Sequence, residues 1–254
     1  MNGKDFWNRV GSKIGYDHSH IKYSNTTETG ENKFKEIILE RSRDSEILDI
    51  GCADGAFTLK ISPHARRITG IDNSVEMIKK AQENKKSSKI ENVVFELMDV
   101  NDMKFDDNNF DVVFSRRGPA TSSKKTLSES YRVLKHGGFF AEITIGETDC
   151  HDISKIFGRG QMMKTKGHIS SLKRKMMNNT GFVKTDVKEF FYQEKYATLQ
   201  DLIMLLETTP IIPDFDTNKD STSIEKIRKL LGEKDIEIRR HRVVISGEKP
   251  LSDL

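Results

Sequence analysis

Residues 47–61 read ILDIGCADGAFTLKI, and this stretch decides the fold. A short apolar run ends in Asp49, the chain turns through Gly51, Ala53 and Gly55, and a helical pattern begins. Glycine removes the steric bar to an unusual turn and lets backbone approach another group closely. The helix that follows presents unpaired N–H groups and the positive end of its dipole. A dinucleotide-binding turn carries G-x-G-x-x-G against a pyrophosphate. Here the spacing is G-x-x-x-G, with Asp49 ahead of the first glycine and Asp54 inside the turn. Two carboxylates repel a pyrophosphate and suit a ligand with a cationic group, which argues against a nicotinamide or flavin.

Outward from this turn, short apolar runs alternate with helical patterns between Glu46 and Ile145. ARRITGID, NVVFEL and FDVVFS read as strands, and SVEMIKKAQEN and TLSESYRVLK as helices. The pair Gly137-Gly138 is expected to end the latter helix as a left-handed cap, with FFAEITI following as a strand. VVF is apolar at consecutive positions, as in a strand buried on both faces, so the sheet is parallel and covered on both sides. Beyond it, ISSLKRKMMNN and ATLQDLIMLLE read as helices, FVKTDVKEFFY as a strand, STSIEKIRKLL as a helix and IEIRRHRVVISG as a closing strand.

Two further acids follow the next strands. Asp72, in GIDNS, stands where a Rossmann-like unit places the acid that accepts the two ribose hydroxyls. Asp99, in ELMDVNDM, ends the third strand, placed to accept from an exocyclic amine of adenine between Met98 and Val100 as apolar walls. All three carboxylates fall at the carboxyl edge of one sheet, where open α/β folds bind ligands. Together they describe a nucleoside carrying an amino-acid-like cation.

Composition bounds the rest. The 254 residues suffice for one large α/β domain; they are 35% hydrophobic and 32% charged, with a net charge of +3. Mean hydropathy is −0.60, and no apolar run approaches the ~18–20 residues of a membrane span. The N-terminus has neither a secretory signal nor a transit-peptide pattern, and two cysteines build no disulfide framework, so the expected location is cytoplasmic. Basic residues are interleaved with acids rather than gathered into a stripe, which argues against a dedicated nucleic-acid binder.

At the motifs LDIGCADG, GIDNSVEMIKKA, MDV, FDVVFS and YRVLKHGGFFAEI, residues 46–146 resemble the core of the class I S-adenosylmethionine-dependent methyltransferases. The last stretch resembles the small-molecule branch of ubiquinone/menaquinone-type enzymes. The resemblance implies a Rossmann-like, doubly wound α/β fold with a mostly parallel seven-stranded sheet, an antiparallel last strand and helical insertions. It implies one domain over 1–254. Residues 1–45 form an N-terminal helical lid, 46–146 the cofactor-binding core, and 147–168 with 193–235 insertions that cover the substrate. It implies S-adenosyl-L-methionine as cofactor and S-adenosyl-L-homocysteine as product. Asp49, Gly51, Ala53 and Gly55 line the methionine end, Asp72 the ribose and Asn73 the adenine face. Asp99 and Val100 line the adenine edge, and Ser115 faces the sulfonium. The family usually has glycine where Ala53 stands.

Substrate contact is expected from Arg116 and Arg117 after the fourth strand, where a guanidinium can clamp a carboxylate or phosphate, and from Tyr16. No catalytic residue is assigned, because methyl transfer needs a general base only when its nucleophile arrives protonated. Trp7, Tyr16 and Tyr23 are lid candidates, and His18 and His20 candidate bases only if the N-terminal segment folds over the cleft. His136 reads as a residue at a helix C-terminus. Asp149-Cys150-His151-Asp152 has metal-ligand residue types without a recognised spacing, so no metal is expected. Cys52 reads as a packing residue. The loop TTPIIPDFD either walls an apolar pocket or joins two helices. The expected activity is methyl transfer to a small-molecule acceptor at oxygen, nitrogen or carbon by in-line displacement. The alternatives are an RNA methyltransferase, whose one support is the basic RRHR at 239–242, and a non-catalytic S-adenosylmethionine-binding protein.

Overall fold

The computed structural model describes residues 3–13, 22–24, 29–161 and 168–251. Five parallel strands form its centre: β2 (Glu46–Ile50), β3 (Arg67–Asp72), β4 (Val93–Leu97), β5 (Phe110–Arg116) and β6 (Leu134–Ile145). With β1 (Lys22–Ser24), β7 (Val183–Thr198) and β8 (Lys234–Glu248), the order is β1-β7-β8-β6-β5-β2-β3-β4. The last strand inserts between β6 and β7, antiparallel to both. The expected seven strands are all present; the three-residue β1 extends the sheet beyond β7.

Helices α2 (Gly30–Arg41), α3 (Ala56–Ile61) and α4 (Val75–Ser88) cover one face, and α5 (Lys124–Val133) and α7 (Ile169–Thr180) the other. Alternate residues of the strands supply the two cores. Ile47, Phe114, Ala141 and Ile143 face α2–α4, while Leu48, Val113, Phe140 and Ile245 face α5 and α7. Such two-sided burial is why the central strands read as continuous apolar runs. Ser123 caps α5 in a reciprocal box with Thr126.

One boundary differs from the sequence expectation. Helix α5 ends at Val133, and Leu134 already pairs with Phe110 in the sheet. Gly137, at φ 75°, therefore sits inside β6 where the register shifts, instead of capping the helix. His136 consequently lies on a strand, with Nδ1 3.1 Å from the Pro250 carbonyl. Pairing with β5 outweighs the helical spacing of LKHGG, a tertiary override of local propensity.

β7 and β8 run past the end of β6. Ile145 pairs with Arg242, whereas β8 continues from His241 back to Lys234 against β7 alone. This overhanging ribbon packs against α6 (His151–Phe157), α8 (Leu199–Thr208) and α9 (Ser221–Leu231) around a third core. Ile211, Ile212 and Phe215 of TTPIIPDFD belong to that core, 5%, 1% and 7% exposed, while Thr208, Phe215 and Asp216 of the same loop also line a small open cleft. Helix α1 (Gly3–Lys13) crosses the start of α4 closely, and a Cβ on Gly11 would lie 3.1 Å from Glu76 and Met77. Trp7 stacks edge-on to Phe6 within α1. Tyr16, His18 and His20 lie outside the described residues, as does the side chain of Tyr23.

Candidate functional site

The carboxyl edge of β2, β3 and β4 gathers the three predicted acids. Asp49 is 2% exposed near the end of β2, and Thr58 of α3 donates to its Oδ2 at 2.6 Å. Burial raises its pKa to about 7, against the lowering effects of the Thr58 hydrogen bond and Arg116; nearby Asp72 adds repulsion. Asp72 ends β3 and binds the turn itself. Its Oδ2 accepts from Ala53 N at 3.1 Å, and its Oδ1 from Ser74 N at 2.9 Å. Burial raises this acid too, opposed by those amides. Asp99 is exposed, held below its ordinary pKa by the backbone and side chain of Asn101, both 2.8 Å from Oδ1.

The turn explains its own composition. Gly51, Ala53 and Gly55 have φ of 76°, 49° and 74°. A Cβ on Gly51 would lie 2.9 Å from Pro119 Cδ and 3.2 Å from Gly118 Cα, and one on Gly55 2.3 Å from the Phe95 ring. Ala53 takes the left-handed region with its amide fixed on Asp72. Asp54 Oδ1 accepts from Ala56 N at 3.2 Å, so this acid serves the first turn of α3. Cys52 is 7% exposed beside Gly70, and burial pushes its thiol well above the ordinary range.

Several side chains are placed otherwise than expected. Ser115 is fully buried, and its hydroxyl donates to Ile50 O at 2.7 Å, tying β5 to β2. Val100 is 7% exposed, packed into the core on the α5 side, with Met98 packed against that core. The exposed apolar side chain at this edge is Leu97, 52% exposed and paired with Asp72 in register, with the exposed Asn73 one residue on. Alternation along β4 contains that signal, since Leu97 stands two residues after the core residue Phe95 yet lies past the sheet's cover.

Arg116 and Arg117 both reach Glu31 of α2, at 3.0 and 3.4 Å, and Arg116 also stacks over Phe57. Burial would raise Glu31, but Arg117, Arg116 and Arg242 overcome it and hold the carboxyl well below the usual range. From here an ionic network runs under the cover. Asp149, 2% exposed, accepts from Arg242 at 2.6 Å, Arg240 at 3.0 Å and His241 N at 2.9 Å; Arg240 also donates to Glu194 at 2.7 Å. The RRHR stretch is therefore mostly interior: Arg240, His241 and Arg242 are 4%, 1% and 1% exposed. Cys150 is buried in the cover core, and among the described residues no group of His, Cys, Asp and Glu could hold a metal ion.

Helix α1 lies against this edge near Ser74 and Asp99. Ser74 Oγ donates to Asn8 Oδ1 at 2.7 Å, and Lys4 acts on Asp99. Across from it, a cleft of about 200 Å³ separates Arg9 and Val10 of α1 from Glu207, Thr208, Phe215, Asp216 and Thr217 of the cover. Among the described residues no helix is long and apolar enough to cross a membrane.

The donor set fits an adenosyl cofactor with a cationic tail. The buried Asp49 and the half-buried Asp72 repel one another, and a positive group beside them offsets both that repulsion and the desolvation that raise Asp49. Asp72, held by the amides of Ser74, Ala53 and Asn73, keeps acceptor capacity on its carboxylate beyond these amides.

Comparison with known proteins agrees. A family model described as a methyltransferase domain matches residues 41–216. The uncharacterised methyltransferase YcgJ of Bacillus subtilis is 31% identical over 99 residues, 38% of this chain and 39% of that protein. The demethylmenaquinone methyltransferase of Symbiobacterium thermophilum is 34% identical over 121 residues, 44% of each. The 23S rRNA (uracil-C5) methyltransferase RlmD of Haemophilus parainfluenzae is 39% identical over 57 residues, 22% of this chain and 13% of that protein. The chain thus matches less than half the length of these relatives. The crystal structure of YcgJ superposes with a TM-score of 0.65 at 19% identity, covering 86% of this chain and 99% of that one, which shows a common fold. The chain belongs to the methyltransferase domain family, the class I group that uses S-adenosylmethionine.

Proposed function

We propose that the chain transfers a methyl group from S-adenosylmethionine to a small-molecule acceptor by in-line displacement. The reading is carried by the carboxyl edge, where Asp49, Asp72 and Asp99 gather at the ends of β2, β3 and β4 beside α1. When bound, the cofactor supplies a methyl group already activated by its sulfonium. Asp72 accepts the ribose hydroxyls, Asp99 the exocyclic amine, and Leu97 gives the adenine an apolar wall. Asp49 offers its carboxylate to the cationic end. Gly51 and Gly118 bring the β2–α3 and β5–α5 loops together there. Arg116 and Arg117, held by Glu31, form the acceptor side of the cleft. Holding nucleophile and methyl carbon in line at near-contact distance itself removes several kcal/mol of barrier.

A small acceptor is favoured over RNA by the same architecture. Residues 147–161 and 199–231 build a cover with its own core, and the basic stretch 239–242 is spent on Asp149 and Glu194. Of its four residues only Arg239, 78% exposed, offers charge to solvent. The relative that acts on rRNA is similar over 57 residues only. Incubation with methyl-labelled cofactor and either a small-metabolite extract or total RNA tests the reading. Label is expected in the metabolite fraction. Label in RNA reverses the choice of acceptor, and cofactor binding without transfer to either marks a non-catalytic binder.

A further inference from the structure

We infer that Lys173 and Glu142 are positioning residues that pin the β5–α5 loop at Thr121 and thereby set the wall of the cleft that meets Gly51. The inference rests on the reading of that cleft as the cofactor site. Lys173 reaches in from α7, half-buried, and its ammonium donates to both the carbonyl and the hydroxyl of Thr121, the latter at 2.6 Å. Thr121 is 1% exposed. Glu142, on β6 in register with Ser115, is 1% exposed, and its Oε2 has no hydrogen-bond partner among the described residues. Lys173 is the charged group that acts on it, and Thr121 hydrogen-bonds it. Burial disfavours both charges, raising Glu142 to about 7 and lowering Lys173, while each charge favours the other.

Replacing such a pair by apolar side chains is often neutral or stabilising, so burying it is a poor way to gain stability. What the charges add is direction: one ammonium grips one carbonyl and one hydroxyl of one loop residue. Thr121 lies two residues beyond Pro119, whose Cδ is 2.9 Å from where a Cβ of Gly51 would stand. Gly118 is pressed to Ile50 O on the other side. A displacement at Thr121 is therefore passed to the glycine turn through the rigid Pro119 ring and the Gly118 backbone. The grip also joins the cleft to the cover. Glu147, after β6, receives Ile169 N at 3.4 Å and faces His168 Nδ1 at 3.2 Å, fixing the start of the helix that carries Lys173.

The test uses the full chain, S-adenosylhomocysteine as probe in calorimetry at pH 8, and amide hydrogen exchange of Arg117, Gly118, Ala120 and Thr121. Lys173→Met is expected to weaken the probe about tenfold, the worth of a charge-assisted hydrogen bond, and to speed exchange in the loop. Lys173→Arg, which keeps the charge and donors, restores affinity to within about twofold of wild type. Glu142→Gln, isosteric and uncharged, gives a smaller loss in the same direction. Wild-type affinity and exchange in Lys173→Met, or no rescue by Lys173→Arg, overturns the inference while the cofactor site stands. If Lys173→Met fails to fold, Glu142→Gln decides: unchanged affinity and loop exchange overturn it. A wild-type chain that does not bind the probe overturns the cofactor reading and this inference together.

Discussion

Cofactor binding should release a proton from Asp49, and the structure gives the size of the effect. Burial lifts this acid from the 3.8 of a free side chain to about 7. At about 1.4 kcal/mol per pH unit, keeping it ionised in the empty site costs ~4 kcal/mol. The sign follows from the raised value. The folded chain holds the proton more tightly than the unfolded one, so the group's stabilising contribution is present below pH 4 and lost as pH rises towards 7. A cation placed against the carboxylate reverses this preference, so bound cofactor favours the ionised form. At pH 6 about nine-tenths of the empty chain carries the proton, and binding should release ~0.9 proton, falling to ~0.1 at pH 8. Affinity should accordingly weaken up to tenfold per unit below about pH 7. Calorimetry in phosphate and in Bis-Tris, both of which buffer at pH 6, reads the proton count directly, because the two buffers differ in their heat of ionisation. Asp49→Asn should lose the pH dependence along with much of the affinity. Glu142, the other acid raised to about 7, is controlled by repeating the titration in Glu142→Gln. Binding by the wild type at pH 6 without proton release would refute the assignment of Asp49 to the cationic end.

Asp72→Ala should weaken S-adenosylmethionine and S-adenosylhomocysteine alike by ~10–100-fold, since it deletes a charged acceptor, with calorimetry as the measure. Gly55→Ala should lower unfolding free energy by ~2–4 kcal/mol in urea titration, because φ is 74° and the added methyl meets the Phe95 ring at 2.3 Å. Asp149→Ala should cost ~3–5 kcal/mol by leaving Arg240 and Arg242 without their shared carboxylate. Burial opposes ionisation of Asp149, but the two arginines hold it below its ordinary value. Its stabilising contribution is therefore present above pH 4 and lost as pH falls further, so acid melts of wild type and variant should converge; parallel curves would contradict this.

The cleft was legible where its chemistry is local. Asp49, Asp72 and Asp99 stand at strand ends that periodicity alone marks, and a positive φ at Gly51 and Gly55 is a demand each residue meets by itself. The 52% exposure of Leu97 is not legible in the sequence, because a strand-end leucine reads like any core residue. Ser115 was assigned by its place after the fourth strand, yet its hydroxyl turns down to Ile50, a partner 65 residues away.

From its residue pattern alone the chain determined a parallel α/β core, a turn built for close backbone approach, and an acidic carboxyl edge suited to an adenosyl cation. Those features depend on backbone conformation and on which strand a residue ends. Tertiary structure decided where the charges went. Glu31, 85 residues before Arg116, takes both arginines of SRRGP, and Asp149 takes the interior of RRHR once β8 inserts between β6 and β7. It also ended α5 at Val133 and closed TTPIIPDFD into a third core. Ion pairing and strand pairing are choices among distant partners, and a low-dielectric interior makes the choice costly to get wrong, which local sequence does not record.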